Sequence, residues 1–457
     1  MNKFNAPNFE KSPEKFSTRE AYENIDPAIL SKFRPANAEE AEAEFHKNPY
    51  LYKPKNNYQN YTPESVFELG KSIESAIEIL ENDQDLSKIE QEIYGSQIEV
   101  QAKRYKFLRA GLDFKSAQTE EEKSAAREEF MKYNREIWGA PERETFESLL
   151  GEKLSKLSKK EFSGHGKWIR ESLLAEFPDV DLEKTGERFK PSNEVFEAFG
   201  DGVRMLFAEQ LAQVPDAPRD GDKFSAQEIG EVFQKVLGSF EDGTEFSKYE
   251  ISWKDSGAIS VNSSKRQISI SKNRAGVSKK QLEGLVAHEI CTHYYRAQIG
   301  EGYGITPLRK GLDGYLDTEE GIARAMEMAV SGKYVEAGVP HYLTAGMAEF
   351  MGASFRDAYE INWRIYALED SKTGEISDED IQKAQAKAYK NTQRIFRGTD
   401  ELPWFKDLSY YNGGQKIWQY IEKNIDDPML FDNLLLGGKS NVFDKSHGRI
   451  LYGLKTQ

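Results

Sequence analysis

Leu282–Arg296 reads LEGLVAHEICTHYYR. It sets His288, Glu289 and His293 in an apolar, helix-like run. These are residue types that hold zinc, which takes neutral imidazole nitrogens and carboxylates and leaves one position open for water. The familiar pattern, H-E-x-x-H, puts two His at i and i+4 on one helix face. Here the pattern is H-E-x-x-x-H, one residue longer. At about 100° per residue, i and i+4 differ by roughly 40°, but i and i+5 by roughly 140°. A regular α-helix points His288 and His293 apart, so a shared ion requires a π-bulge or similar distortion between them. Without it the pair reduces to two core histidines.

Upstream lie three short β-branched runs: Tyr249–Trp253 (YEISW), Ala258–Asn262 (AISVN) and Gln267–Ser271 (QISIS). Turn residues at Lys254–Gly257 and Ser263–Arg266 separate them, which predicts a small antiparallel meander. Ser278 then caps the helix that carries the histidines. A small sheet followed directly by a metal-binding helix is the arrangement of a zincin-type peptidase. There an edge strand holds an extended peptide through main-chain hydrogen bonds. Downstream, Asp317–Ala329 (DTEEGIARAMEMA) predicts a helix opened by a capping Asp or Thr. Acids near such a start complement the helix dipole. The alternative is that one of them, Glu320 in preference to Glu319, supplies a third metal ligand.

The 457 residues suggest two or three subdomains. The expected division is a polar N-terminal extension over 1–60, a helical region over 61–160 and a zincin-like catalytic domain over 161–457. Thr62-Pro63-Glu64 and Thr119–Glu122 are helix-start signals within the helical region. The fold class is α+β, mainly helical. A net charge of −15 disfavours non-specific nucleic-acid binding. Cys291 is the only cysteine, so no intramolecular disulfide forms. Its sulfur either approaches the metal or is a buried, inert thiol. The opening residues, MNKFNAPNFEKSPEK, lack the apolar core of a signal peptide, and no apolar run reaches membrane-spanning length. A cytoplasmic protein without nucleic-acid or membrane partners is expected. Ala348–Leu368 reads as one core helix, with His341 in a structural loop before it. His165 reads as a surface turn residue.

Three blocks in order resemble a known family: HEICTH, then TEEGIA (Thr318–Ala323), then RIFRG (Arg394–Gly398) with FKDLSYYNG (Phe405–Gly413). They resemble the QEGLA-motif bacterial proteins, related to the microtubule-associated tyrosine carboxypeptidases. The resemblance covers roughly Leu173 to Ile421. It implies a zinc metallopeptidase in which His288, His293 and Glu320 bind the ion and Glu289 is the catalytic acid/base. It also implies carboxypeptidase activity, releasing a C-terminal aromatic residue from a peptide or protein. The chain departs from the pattern at Glu319 (Gln in the family name), at Ile322 (Leu there) and at Cys291, where relatives carry a small residue.

A carboxypeptidase needs a cation to read the terminal carboxylate. Arg397 and Lys406 are the candidates, with Arg394 behind them. Tyr410 or Tyr411 is placed to donate to the tetrahedral oxyanion. The plain alternatives are surface ion pairs and core aromatics. Trp404 and Phe405 either line an apolar pocket or pack in a core. Two other functions remain open at this level. One is an endo- or aminopeptidase on the same zinc chemistry. The other is a non-catalytic binding or regulatory protein that keeps the metal for stability.

Overall fold

In a computed structural model, the described residues are 17–455 apart from 26–28, 183–187, 217–221, 242–245, 247 and 256. The stretch read for a leader lies outside them. So do 217–221, within Pro215–Asp222 (PDAPRDGD), whose composition predicts a loop or subdomain junction, and Ser256 of the Lys254–Gly257 turn. The described chain is mainly helical with one three-stranded sheet. None of its helices is long and apolar enough to cross a membrane.

The sheet comprises β1 (Glu250–Lys254), β2 (Ser260–Asn262) and β3 (Gln267–Ser271), in the order β1-β3-β2. β2 runs antiparallel to β3, with Val261 opposite Ile268. β1 runs parallel to β3, with Ile251 opposite Ile268. The sheet is therefore mixed, and the expected antiparallel meander is corrected. Lys254 registers with Ser271, and Ser260 with Ser269, so β1 ends and β2 begins at the same end of the sheet. The connection between them passes over the end of β3. Period-2 alternation decides which face is buried, here that of Ile268 and Ile270, but carries no information about strand order.

Ser278 caps the helix that follows, its hydroxyl accepting from Gln281 N in a capping box. The helix is α-helical over Lys279–Leu285, π-helical over Val286–Tyr294, and α-helical again over Tyr295–Gly302. Further on, three sequence expectations change. The Tyr315–Ser331 helix starts from Gly314 in the left-handed region (φ 62°), not from a capping Asp or Thr. Asp317 lies inside the first turn and pairs with Lys416 at 2.7 Å. Ala348–Leu368 is not one helix. Val339–Met351 ends at Gly352 (φ 66°), and Phe355–Asp370 restarts from a Ser354/Asp357 capping box. His341 is not in a loop but in the first turn of Val339–Met351, behind Pro340.

Two apolar cores are present. One gathers the N-terminal helices, the Val339–Met351 and Phe355–Asp370 helices and the 395–411 segment. The other gathers β3, the π-helical segment, the Tyr315–Ser331 helix and Ile417–Ile421. The Ser409–Asn424 helix runs from the first core into the second, through buried Tyr411 and then Ile417 and Trp418. The N-terminal arm belongs to the first core. Phe33 packs edge-on against Trp404 at 5.2 Å and occupies the space that a side chain on Gly398 would take. Tyr58 donates to Asp400 Oδ1 at 2.5 Å, and Lys53 pairs with Glu401.

Candidate metal centre

The π-helical segment does what the spacing requires. In a π-turn, N–H groups bond to carbonyls five residues back, so i and i+5 return to one face. Tyr295 N donates to Ile290 O in this way, and Thr292 Oγ1 reaches Ala287 O at 2.9 Å. The rings of His288 and His293 consequently lie 4.9 Å apart. One ligand atom from each of His288, Glu289 and His293 falls within 4.8 Å of the others. Glu320 Oε2 lies 4.0 Å from His293 Nε2.

Both imidazoles are oriented from behind. His288 Nδ1 meets Glu327 Oε2 at 2.7 Å, and His293 Nδ1 meets Glu319 Oε1 at 2.8 Å. A carboxylate can only accept, so each Nδ1 donates and each neutral ring keeps its Nε2 lone pair for a ligand. Carboxylates bound to the outer nitrogen are the usual support of metal-ligating histidines. The outer carboxylates are in turn neutralised. Arg324 pairs with Glu327 at 2.6 Å. Buried Arg296 pairs with Glu319, and buried Lys439 lies 3.4 Å from it. Burial alone would raise the Glu319 carboxyl, but Lys439 and Arg296 hold it well below the usual range. Burial alone would lower His288, but Glu327 and Glu289 outweigh it and raise the ring to about 9. Without an ion that ring therefore holds a second proton at neutral pH, and metal binding must release it to free Nε2.

Among the described residues, Glu289 and Glu320 have no Arg or Lys within ion-pair distance. Two carboxylates without an Arg or Lys ion-pair partner face two imidazoles, so the residues fit a divalent cation held by nitrogen and oxygen donors. Sequence reasoning missed Glu327, Arg324, Arg296 and Lys439. Glu327 was within reach of it: seven residues from Glu320, it shares that residue's helix face. If a zinc ion occupies this site, Glu327→Ala is expected to weaken its binding by roughly 10–100-fold in a chelator competition. Unchanged affinity would make the Nδ1 contact incidental.

The other candidate residues divide. Arg394 Nε donates to Asp407 Oδ2 at 2.7 Å, Arg397 lies 3.5 Å from the same carboxylate, and Lys406 lies 3.4 Å from Oδ1. Three cations thus surround one buried anion. Burial would raise the Asp407 carboxyl, but Lys406, Arg394 and Arg397 hold it well below the usual range. Arg397 stacks on Trp404 at 4.7 Å, and its buried Nε has no acceptor. Tyr410 joins this group to the metal centre. Arg394 lies over its ring at 5.3 Å, and its hydroxyl is pushed up by burial and by the charge of Glu320. Tyr411 is not brought there. It packs on Tyr342 at 4.6 Å, and after burial Glu336 is the chief influence raising its hydroxyl. Cys291 is fully buried in the second core, where burial pushes its thiol up. Trp404 and Phe405 are core residues. His165 is an exposed residue in a helix first turn.

A backbone crossing holds the two groups together. A side chain on Gly321 would sit 2.4 Å from Gly413 O, and one on Gly413 would sit 2.1 Å from Asp317 O. The Tyr315–Ser331 and Ser409–Asn424 helices therefore touch main chain to main chain, next to Glu320 and one turn from Tyr410. A surface depression of about 550 Å³ lies elsewhere, between the Ala226–Glu241 helix and β1, lined by Gln227, Glu231, Trp253 and Lys272. It contains none of this chemistry.

The chain is thus a mainly helical protein whose two cores bring a His/Glu cluster of metal-ligand geometry against a cation-rich wall. Residues 374–447 match the family described as Microtubule-associated tyrosine carboxypeptidase, and the chain is related to that family. The match contains Arg394, Arg397, Lys406 and Tyr410. His288, His293 and Glu320 precede it. A comparison with curated proteins found no match.

Proposed function

We propose that the chain is a cytoplasmic zinc metallopeptidase of zincin type, a carboxypeptidase that removes a C-terminal tyrosine from peptides or proteins. The observation that carries this reading is the pairing of two carboxylates that have no Arg or Lys partner, and two oriented imidazoles, with a wall of three cations. His288, His293 and Glu320 would hold the ion. When bound there, zinc supplies Lewis acidity at the scissile carbonyl and eases the ionisation of water.

This chain's own residues perform the remaining work. Glu289, next in sequence to His288 and not needed as a ligand, takes a proton from water and passes it to the leaving amine. Tyr410 donates to the carbonyl oxygen as it gains charge. Arg397 and Lys406 receive the terminal carboxylate, and Arg397 Nε brings a donor that has no partner in the free protein. Arg394, tied to Asp407 and stacked on Tyr410, holds that wall in place. β2 is an edge strand beside the π-helical segment, suited to pairing with the extended substrate main chain.

Elemental analysis of protein purified without added metal should give about one zinc per chain in the wild type and a large loss in His288→Ala. The same preparations are then given one tyrosine-ended peptide with a free and an amidated C-terminus. Only the free form should lose tyrosine. Equal cleavage of both at an internal bond would sink the carboxypeptidase assignment in favour of an endopeptidase.

A further inference from the structure

His341 Nδ1 lies 2.6 Å from Asn391 Oδ1. The buried network behind it fixes the direction of that bond. Thr344 Oγ1 donates to the Pro340 carbonyl at 2.8 Å, so it must accept from Asn391 Nδ2 at 2.7 Å and from Asn362 Nδ2 at 2.9 Å. Asn391 Nδ2 also faces the Pro340 carbonyl at 3.2 Å. The end of Asn391 turned to His341 is therefore its oxygen, which only accepts. His341 carries its proton on Nδ1 and a lone pair on Nε2. Burial and Arg394 push the ring down to about 4, so that lone pair is kept at neutral pH.

No described residue hydrogen-bonds to His341 Nε2, and the residue as a whole is half-buried rather than sealed in the core. It stands edge-on to Tyr410, centroids 6.1 Å apart, on the same wall as Arg394 and Arg397. An acceptor left open in a binding wall rejects a ligand that brings no donor, because desolvation then goes uncompensated.

We infer that His341 is a specificity-determining residue whose Nε2 accepts a hydrogen bond from the phenolic hydroxyl of a C-terminal tyrosine. This inference rests on the carboxypeptidase reading above. It requires the enzyme to distinguish tyrosine from phenylalanine, which differ by that hydroxyl alone.

The test uses the full chain, zinc-loaded, and two peptides identical except for a terminal Tyr or Phe. Wild type should favour Tyr in kcat/KM by roughly tenfold or more. His341→Leu should level the ratio while Phe release stays within a few-fold of wild type. His341→Asn, whose shorter amide cannot reach, should level it too and serves as the second variant should the leucine form not fold. His341→Gln, which restores an acceptor, should recover part of the preference. A wild type without preference, or a ratio unmoved in the Leu and Asn variants, overturns the inference and leaves the carboxypeptidase reading intact. A wild type that releases neither residue overturns that reading, and this inference with it.

Discussion

Glu289→Gln is expected to lower kcat on a tyrosine-ended peptide by about 10²–10⁴-fold, the usual worth of a positioned acid/base. Metal content should stay at the wild-type level. The second half of that expectation carries the discrimination. Glu289 and Glu320 both approach the imidazoles, Glu289 within the 4.8 Å cluster and Glu320 at 4.0 Å from His293 Nε2. If Glu320 is the ligand, Glu320→Ala loses zinc and Glu289→Gln keeps it. If the glutamine variant also loses zinc, Glu289 is a ligand and the catalytic role assigned to it fails. Retained zinc with undiminished turnover would equally remove Glu289 from the chemistry.

Gly413→Ala should cost about 3 kcal/mol, at the upper end for forcing a side chain into a closed contact. The new methyl would meet backbone, Asp317 O at 2.1 Å and Gly321 N at 3.1 Å, which cannot step aside as a flexible side chain can. Relief requires the two helices to part, and that separates Glu320 from Tyr410. Lower turnover should therefore accompany the loss of stability. The neighbouring Gly414→Ala is the control, because its methyl would meet only Ala337 Cβ at 3.8 Å. Gly414→Ala should be neutral or slightly stabilising, since alanine is the better helix former. Equal denaturation midpoints for the two variants would mean that the crossing tolerates separation.

The distortion at the centre of the candidate site was legible because a local rule fails there. An i, i+5 pair cannot share a face of an α-helix, so the spacing from His288 to His293 demanded the distortion that Val286–Tyr294 shows. The order of the strands was not legible. β1 could lie on either side of β3 without changing which of its residues are buried, and the connection over the sheet end has no signature of its own. The break at Gly352 was legible in principle, since Gly352 followed by Ser354 and Asp357 is a stop and a start in succession. The apolar residues on both sides mask it, because they continue a helical pattern across the break. Tyr411 was a candidate beside Tyr410 because sequence gives no direction to either. On a helix, neighbours diverge, and the crossing at Gly413 turns Tyr410 to Glu320 and Tyr411 to Tyr342. Arg296 and Lys439 lay beyond reach, because one buried carboxylate gathers them from distant parts of the chain.

The N-terminal arm has a consequence for how the protein is made. Tyr58 and Asp400 are separated by 342 residues, and Lys53 and Glu401 by 348. Such closures belong to the slow, non-local class of folding steps, because most of the chain must be ordered before they are rewarded. During synthesis, Phe33 has no Trp404 to pack on until the 397–404 segment has left the ribosome. The arm must wait in a non-native state through that interval, and its docking against the 397–404 segment should be among the last events of folding. The wall that carries Arg397 would then be completed by a segment synthesised long before it.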